Sequence, residues 1–406
     1  MPAGVAEVTG MSASRGRTLL LVENLSVPFD RRVWQESAAL HEAGYDVTVV
    51  SPKGTRQDRS SHEICDGISI HRYALRAATG GPAGYVREYG TAIWHIARLV
   101  RRLSADARFD VIHAANPPDV LLIAALPTKR RGTRFIFDHH DLVPELYLSR
   151  FGRGRDALYR GTLLVERVAF HLADVVIATN ESYRRIALER GGKDPNDVFV
   201  VRSAPDLRRF HPVGADAALK RGRKHLIVYL GVMGPQDGVD HALRALRKLQ
   251  DRRRDWYAVF IGEGDVFPTM RALAHDLGLA QDIQFTGRIP DDDVMRILST
   301  ADVCLAPDPQ NPLNDASTMN KIVEYMAMSR PVVSYDLAEA RESAGESALY
   351  ARPNDSKSFA HCIEALLDDP ARRRKMGQIG RRRVEDKLSW ERSKTELLRA
   401  YERVMA

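Results

Sequence analysis

The residues with the clearest chemical pattern lie between positions 314 and 327, where a polar turn leads directly into an amphipathic helix. Backbone N–H groups at the start of a helix are unpaired and carry the positive end of its dipole, so they favour a bound phosphate. Lys321 adds a positive charge there, and Glu324 lies one turn further on, within reach of sugar hydroxyls attached to the same phosphate. The side chains expected to contribute further donors are those of Asn314, Ser317, Thr318 and Asn320. A capped helix with an ordinary surface Lys–Glu pair fits the same residues, so the rest of the sequence must decide.

Alternating strand and helix patterns surround this turn and repeat in the two halves of the chain. A strand, an amphipathic helix and a second strand occur at residues 18–23, 35–42 and 46–50, and again at residues 226–230, 241–250 and 257–261. This repetition predicts an α/β fold of two Rossmann-like, doubly wound domains. Because open parallel sheets bind ligands beyond the carboxyl ends of their strands, we expect the site in a central cleft between the domains.

Changes in composition predict the domain boundaries. Residues 1–17 lack an apolar core and are expected to form a flexible tail, followed by a first domain at residues 18–212. Pro212 and Gly214 precede a charged stretch, which predicts a second domain at residues 213–376. Residues 377–406 are basic with apolar anchors such as Trp390 and Tyr401, so we expect a helical segment that packs back on the first domain.

The bulk composition limits the partners. The 406 residues include 60 Lys and Arg against 53 Asp and Glu, a net charge of +7 that favours anionic partners. Nucleic acid is not expected, because aromatic residues do not alternate with the arginine runs. Cys65, Cys304 and Cys362 are too few and too scattered for a disulfide framework, which favours a reducing cytoplasm. All apolar runs fall short of the roughly twenty residues that span a bilayer, so any membrane contact is expected to be peripheral.

Several motifs together resemble the retaining family 4 glycosyltransferases of the GT-B fold. The strongest is the helix already described, with Lys321, Glu324 and Tyr325, followed by Arg330 and Pro331. The other matching features are His140 with Asp141, Tyr229 with Gly231, Gly262 with Gly264, Phe285 with Gly287, Ala301 with Asp302, and Leu388 with Trp390. They span residues 18–400 in the order typical of the family. The resemblance implies a C-terminal helix that crosses back to the N-terminal domain.

The resemblance also implies which residues bind the donor. The acid matching Glu324 usually binds the ribose of a nucleotide sugar, and the turn before it holds the diphosphate and the sugar. Four glycines, Gly231, Gly234, Gly262 and Gly264, would let the backbone approach the nucleotide, although tight strand-to-helix turns explain them nearly as well.

The chain departs from the family first at a catalytic carboxylate. A second Glu usually precedes the ribose-binding acid with seven residues between them, and Ala316 stands at that place. Asp315 or Asn314 is the candidate substitute, and the alternative is that both residues only shape the turn.

A second departure concerns the cations that neutralise the diphosphate. The family commonly has an Arg and a Lys after the second domain's first strand, and the corresponding residues here are Val232 and Asp237. Since the leaving diphosphate gains negative charge as the glycosidic bond breaks, a replacement is required. Lys321 is the first candidate and Arg288 is the second.

On the facing domain, His140 matches the family histidine that contacts the donor sugar. No metal is expected, because His140 and Asp141 are adjacent on an extended strand and point in opposite directions, and because GT-B enzymes are generally metal-independent. His139 is expected to be a packed residue. The acceptor side is predicted from polar residues that follow the strands of this domain: Arg31, Arg32, His113, Asn116 and Asp119. For Arg31 and Arg32 the pyrophosphate and a solvated helix start are open alternatives.

The function implied by the family is transfer of a hexose from a nucleotide-diphosphate sugar to a hydroxyl acceptor, lipid-linked or saccharide, in cell-envelope or exopolysaccharide assembly. The implied stereochemistry is retention, with front-face attack, and no cofactor is expected. The alternatives are a nucleotide-sugar epimerase or phosphorylase of the same fold, or an inactive GT-B partner protein that binds nucleotide without turnover.

The helix predicted at residues 86–103 combines Ile93, Trp94 and Ile96 with Arg98 and nearby arginines. This composition predicts either docking of its apolar residues onto the first sheet or peripheral contact with an anionic membrane.

Overall fold

A computed structural model describes residues 14–54, 58–76, 81–151 and 154–406 of the chain. Most of the predicted tail, residues 1–13, lies outside this part. The described residues form two open sheets covered by helices on both faces, so the predicted α/β class with two doubly wound domains is confirmed. We name them the N-lobe, built on residues 17–200, and the C-lobe, built on residues 225–388.

Eight strands form the N-lobe sheet among the described residues. They are β1 (Arg17–Leu21), β2 (Asp46–Pro52), β3 (His62–Cys65), β4 (Ile68–Tyr73), β5 (Val111–Ala115), β6 (Arg134–His139), β7 (Val175–Ala178) and β8 (Val198–Val200). Their order is β3-β4-β2-β1-β5-β6-β7-β8, and all neighbours are parallel except β3 and β4. The central parallel strands, β1, β2, β5, β6 and β7, are buried on both faces and therefore consist mainly of apolar residues.

Helices cover both faces of this sheet. They are α1 (Arg31–Glu42), α2 (Gly81–Asp106), α3 (Leu122–Lys129), α4 (Val143–Phe151), α5 (Ala157–Leu172) and α6 (Glu181–Glu189). One apolar core joins α2, α3, α5 and α6 to the sheet, and α1 packs on the opposite face. Helix α1 begins four residues before the predicted start, because the Asp30 carboxylate accepts a hydrogen bond from the Val33 N–H and caps the helix.

The C-lobe sheet has six described strands, all parallel. They are β9 (His225–Leu230), β10 (Trp256–Ile261), β11 (Ile283–Gly287), β12 (Val303–Ala306), β13 (Val332–Tyr335) and β14 (Ala348–Ala351). Their order is β11-β10-β9-β12-β13-β14. From β9 the chain adds strands first on one side of the sheet and then on the other, and the same reversal of strand order occurs at β1 in the N-lobe. Doubly wound sheets form their ligand clefts at such a reversal.

The remaining helices belong to the C-lobe except the last. They are α7 (Val239–Gln250), α8 (Phe267–Asp276), α9 (Asp291–Thr300), α10 (Pro312–Ala316), α11 (Asn320–Ala327), α12 (Ala338–Ala344), α13 (Ser356–Asp368), α14 (Pro370–Arg383) and α15 (Trp390–Met405). None of the helices in the described residues is both long enough and apolar enough to cross a membrane.

The C-terminal helix crosses back to the N-lobe as expected. Leu397 and Tyr401 of α15 are buried in the core that α1 forms with the N-lobe sheet. Helix α14 stays on the C-lobe, where Gly377 lets it approach so closely that a Cβ would lie 2.1 Å from the Ser329 carbonyl oxygen. The crossing therefore follows the π-helical turn Val384–Leu388, later than the predicted residue 377.

Candidate active site

Three glycine-containing loops at the carboxyl ends of β9, β10 and β11 lie against one another at the edge of the C-lobe sheet. Gly262 has φ 128° and donates its N–H to the Gly287 carbonyl at 3.0 Å. A Cβ on Gly262 would lie 1.9 Å from the carbonyl oxygen of Gly231, and one on Gly264 would lie 2.5 Å from that of Met233. Loop-to-loop packing therefore requires these glycines, whether or not a ligand approaches them.

A residue of the glycine turn after β9 hydrogen-bonds to the backbone of that turn. The Asp237 carboxylate accepts the Gly234 N–H at 2.9 Å, so the residue at the place of the family lysine shapes this turn. A hollow of about 470 Å³ lies beside Gly234 and is lined by α7 and α8 residues such as Arg244 and Thr269. It contains none of the other predicted site residues, so we do not assign the site to it.

The position of Lys321 bears on the expectation that it is the first candidate to neutralise the diphosphate. Its side chain is 7% exposed, and its Nζ lies 2.6 Å from Asp308 Oδ1 and 3.7 Å from Asp237 Oδ1. Burial would lower the pKa of Lys321, but the two carboxylates outweigh it and raise that pKa. Burial also raises the pKa of Asp237 to about 6, although Lys321 opposes the shift. The lysine charge is thus balanced inside the C-lobe.

The polar turn before α11 is also used differently from the prediction. Asn314 is buried and donates to the carbonyl oxygens of Gln236 and Pro309, at 2.9 and 2.8 Å. Asp315 accepts the Ala338 N–H at 2.9 Å, at the start of α12. Both side chains therefore shape the fold, which was the alternative to Asp315 acting as a substitute catalytic acid.

Ser317 and Thr318 face the N-lobe and hold the two lobes together. The hydroxyls of Ser317 and Tyr183 lie 2.9 Å apart, and Asn180 donates to Thr318 Oγ1 at 3.0 Å. Leu313, from the same segment, is buried in the N-lobe core. Two of the four side-chain donors expected for a phosphate, Ser317 and Thr318, are therefore engaged across the lobe interface.

Glu324 and Asn320 do line a pocket between the lobes. The pocket has a volume of about 340 Å³, and its wall includes Arg31 and Trp34 of the N-lobe and Arg209 of the segment that links the lobes. The Glu324 side chain is 20% exposed, and its Oε1 lies 3.9 Å from Arg31 Nη1. Burial raises the pKa of Glu324, while Arg31 and Arg209 oppose the rise. The predicted ribose acid thus faces the opposite lobe.

Arg288 also lies where the lobes meet. Its guanidinium stacks over the ring of Phe29, in the loop before α1, at 4.1 Å from the ring centre. This contact is a cation–π interaction, which leaves the charge close to the cleft but orients the guanidinium against an aromatic face.

On the N-lobe, the structure corrects the prediction that Arg32 faces the acceptor. Its guanidinium is buried and donates to both oxygens of Asp138, at 2.7 and 3.1 Å, and its Nη2 lies 3.1 Å from Glu36. Burial would raise the pKa of Asp138, but the charge of Arg32 outweighs it and holds that pKa well below its ordinary value. Arg32 is therefore part of the lobe's interior, with only its edge on the pocket wall.

His113 is a second correction, because its side chain is fully buried. Its Nδ1 lies 3.1 Å from the Tyr401 hydroxyl of α15, and its Nε2 lies 3.7 Å from both Glu36 and Asp138. The ligand atoms of Glu36, His113 and Asp138 lie within 4.8 Å of one another, a spacing that could hold a metal ion. Arg32 already supplies a cation to both carboxylates, and the absence of a metal requirement stays a prediction.

His140 is held in place by its neighbours. Its Nδ1 lies 3.2 Å from Asp138 Oδ2, and its backbone N–H donates to the Asn116 side chain at 2.8 Å. Burial would lower the pKa of His140, but the hydrogen bond and charge of Asp138 outweigh it and raise that pKa. The side chain keeps 14% exposure, so its other ring nitrogen is the one available for a ligand.

Asn116 and Asp119 support this turn from within the N-lobe. Asn116 donates to Asp119 at 2.7 Å and accepts from the backbone of His140 and Asp141, so it positions the histidine without facing an acceptor. Burial raises the pKa of Asp119 to about 7, with His139 opposing the shift. His139 is fully buried, as expected for a packed residue.

Comparison with protein families divides the chain into the same two parts as the N-lobe and the C-lobe. Residues 30–204 match the model of the glycosyl transferase 4-like domain, and residues 224–369 match the model of glycosyl transferases group 1. The chain belongs to the family 4 glycosyltransferases. Its two matched regions correspond to the N-lobe and the C-lobe, which meet at the pocket containing Glu324.

Curated relatives of this family 4 glycosyltransferase differ in their reactions. It is 26% identical to the 2-deoxystreptamine glucosyltransferase of Streptomyces kanamyceticus over 59% of the chain and 63% of that enzyme. It is 24% identical to a glycogen synthase of Mycobacterium tuberculosis over 91% of the chain and 90% of that enzyme.

Solved structures share the GT-B fold over nearly the whole chain. The sucrose-phosphate synthase of Thermosynechococcus elongatus has a TM-score of 0.80 at 20% identity and covers 96% of this chain and 99% of its own. HepE of Anabaena, solved in complex with UDP-glucose, has a TM-score of 0.70 at 14% identity and covers 95% and 99%.

Sequence reasoning missed Arg209, which lines the pocket, and Asp291, which pairs with Arg209 and Arg31. Arg209 lies in the irregular segment between the lobes, and Asp291 is one of three consecutive aspartates at the start of α9. Neither position carries a periodic or motif signal, and their proximity depends on how the lobes close.

Proposed function

We propose that this glycosyltransferase moves a hexose from a nucleotide-diphosphate sugar to a hydroxyl of a lipid-linked or saccharide acceptor, with retention at the anomeric carbon. The observation that carries the proposal is the position of Glu324, a half-buried acid that lines the pocket between the lobes and faces Arg31 of the other lobe. An acid in such a pocket is suited to bind the paired hydroxyls of a ribose.

The N-lobe supplies the proposed contact to the sugar. Asp138 fixes His140 Nδ1, which leaves Nε2 to hydrogen-bond a hydroxyl of the bound hexose. In this mechanism the departing phosphate accepts the acceptor's proton, and the closed lobes exclude water that would hydrolyse the donor. Neighbours of the same fold were solved with UDP, UDP-glucose or UDP-2-fluoro glucose, which supports a nucleotide sugar as the donor.

The pathway we propose is assembly of cell-envelope glycoconjugates or exopolysaccharide. The likeness to EpsD, a putative glycosyltransferase of Bacillus subtilis, at 26% identity over 70% of the chain supports this assignment.

A direct test measures nucleoside diphosphate release from a panel of UDP- and GDP-hexoses, with mass detection of glycosylated acceptors. We expect one donor to be consumed by the wild-type protein, and much less by Glu324→Gln. NMR of the product determines the anomeric configuration, and inversion would contradict the proposed stereochemistry. Tight binding of a nucleotide sugar with no transfer to any acceptor would favour the inactive-partner alternative.

We further propose that the outer helices of the N-lobe contact an anionic membrane. The apolar residues of α2 have two different environments. Ile96 is buried against the sheet, whereas Trp94 is 58% exposed and the guanidinium of Arg98 lies over its ring. On α5, which packs on the same face of the sheet, Leu164 is 64% exposed and Leu158 is 48% exposed. Exposed aromatic and apolar residues beside arginines fit the interface of an anionic bilayer.

A further inference from the structure

Two arginines that line the pocket between the lobes come from different parts of the chain and pair with the same acid, Asp291. Arg31 is the first residue of α1 in the N-lobe, and Arg209 lies in the segment that links the lobes. Arg31 donates to Asp291 Oδ1 at 3.1 Å, and Arg209 contacts the other oxygen of the same carboxylate. One carboxylate is therefore shared by two guanidinium groups.

Both guanidinium groups have N–H donors that no hydrogen bond to the described residues uses. Each guanidinium has five N–H groups. Among the described residues, the Nε of Arg209 is buried without a hydrogen-bond partner. Glu324 lies 3.9 Å from Arg31, beyond hydrogen-bond distance. Burial and the nearby charge of Arg31 lower the pKa of Arg209, and the charges of Glu324 and Asp206 oppose the shift.

The chemistry of the proposed donor requires such cations. The residues at the places of the family Arg and Lys are Val232 and Asp237, and Lys321 is already balanced by Asp308 and Asp237. A leaving diphosphate still needs positive charge within hydrogen-bond distance. The two arginines lie beside Glu324, as a diphosphate lies beside the ribose to which it is attached.

We propose that Arg31 and Arg209 form a subsite for the diphosphate of the nucleotide sugar, in place of the cations that the glycine turn lacks. This proposal rests on the proposed function for the identity of the ligand. The subsite itself binds a pyrophosphate-like anion through forked guanidinium contacts, in competition with Asp291.

The test is isothermal titration of the full-length protein with pyrophosphate, UDP, GDP and the corresponding nucleosides. We expect Arg31→Gln and Arg209→Gln each to weaken binding of pyrophosphate and of the preferred nucleoside diphosphate about tenfold or more, since hydrogen bonds between charged groups have this strength. Nucleoside binding stays unchanged. The matched control is Arg208→Gln, because Arg208 is adjacent to Arg209 in sequence but 90% exposed and paired with Asp206. Ligand-free melting temperatures check that each variant folds.

The outcomes separate the subsite from the proposed function. Loss of pyrophosphate binding in both variants without any nucleoside diphosphate binding in the wild type supports the subsite and contradicts the nucleotide-sugar donor. Unchanged diphosphate binding in folded Arg31→Gln and Arg209→Gln overturns the subsite while leaving the donor intact. An equal loss in Arg208→Gln, or no binding of pyrophosphate or diphosphate by the wild type, also overturns the subsite.

Discussion

The substitution Lys321→Met removes a buried cation and tests whether Lys321 acts chiefly within the fold. Its partner Asp308 is 2% exposed, and the second oxygen of that carboxylate has no hydrogen-bond partner among the described residues. Breaking a buried ion pair costs about 3–5 kcal/mol, because the remaining charge is left without a partner. With roughly 2–4 °C per kcal/mol for a unit of this size, the C-lobe transition should fall by about 6–20 °C.

The assay is thermal and urea unfolding followed by circular dichroism, with Lys248→Met as the control. Lys248 is exposed on α7, so its replacement should change stability by no more than about 0.5 kcal/mol. The double variant Lys321→Met with Asp308→Asn removes both charges and should be more stable than Lys321→Met alone. A Lys321→Met protein that is as stable as wild type but binds UDP or GDP much more weakly would refute this reasoning, since that result requires a lysine whose charge serves the ligand.

Three further predictions concern the N-lobe network, a glycine loop and the outer surface. Arg32→Met should lower the free energy of unfolding by about 3–5 kcal/mol at pH 8, and by less at pH 5.5. Burial raises the pKa of Glu36 from 4.5 to about 7, so the contribution of Glu36 to stability falls as pH rises from 4.5 through 7. Glu36 therefore depends on the Arg32 charge at pH 8 more than at pH 5.5. Urea titrations that show the same loss of unfolding free energy for Arg32→Met at both pH values would contradict this. In the same assay, Gly262→Ala should lower the free energy of unfolding by more than about 2 kcal/mol. The control Gly214→Ala should change it little, because nothing lies within 4 Å of the added Cβ. Trp94→Glu should reduce sedimentation with phosphatidylglycerol vesicles, and wild-type binding that is indifferent to lipid charge or salt would contradict the membrane proposal.

The fold was predictable because its signals are local. Strands such as residues 226–230 and 303–306 are short apolar runs followed by amphipathic helices, and their repetition predicts a doubly wound sheet. The family motif around Glu324 also places the acid on the correct helix, which faces the other lobe. The same local reasoning missed the N-terminal start of α1, where the cap at Asp30 extends the helix.

The charge state of the site was not predictable because its partners are distant in sequence. Lys321 was expected to neutralise the diphosphate, but it pairs with Asp308, 13 residues away in sequence, and lies near Asp237 of another loop. Arg32 pairs with Asp138, 106 residues away, and the neighbouring Arg31 faces the pocket instead. Adjacent arginines on a helix thus have opposite roles, which depends on the orientation of α1 against the sheet.

The most direct measurement of the central claim is a crystal structure of the protein with its preferred nucleoside diphosphate. The account predicts that the nucleotide lies in the pocket between the lobes, with its ribose hydroxyls within hydrogen-bond distance of the Glu324 carboxylate. A nucleotide bound elsewhere, with Glu324 still facing only Arg31, would contradict it.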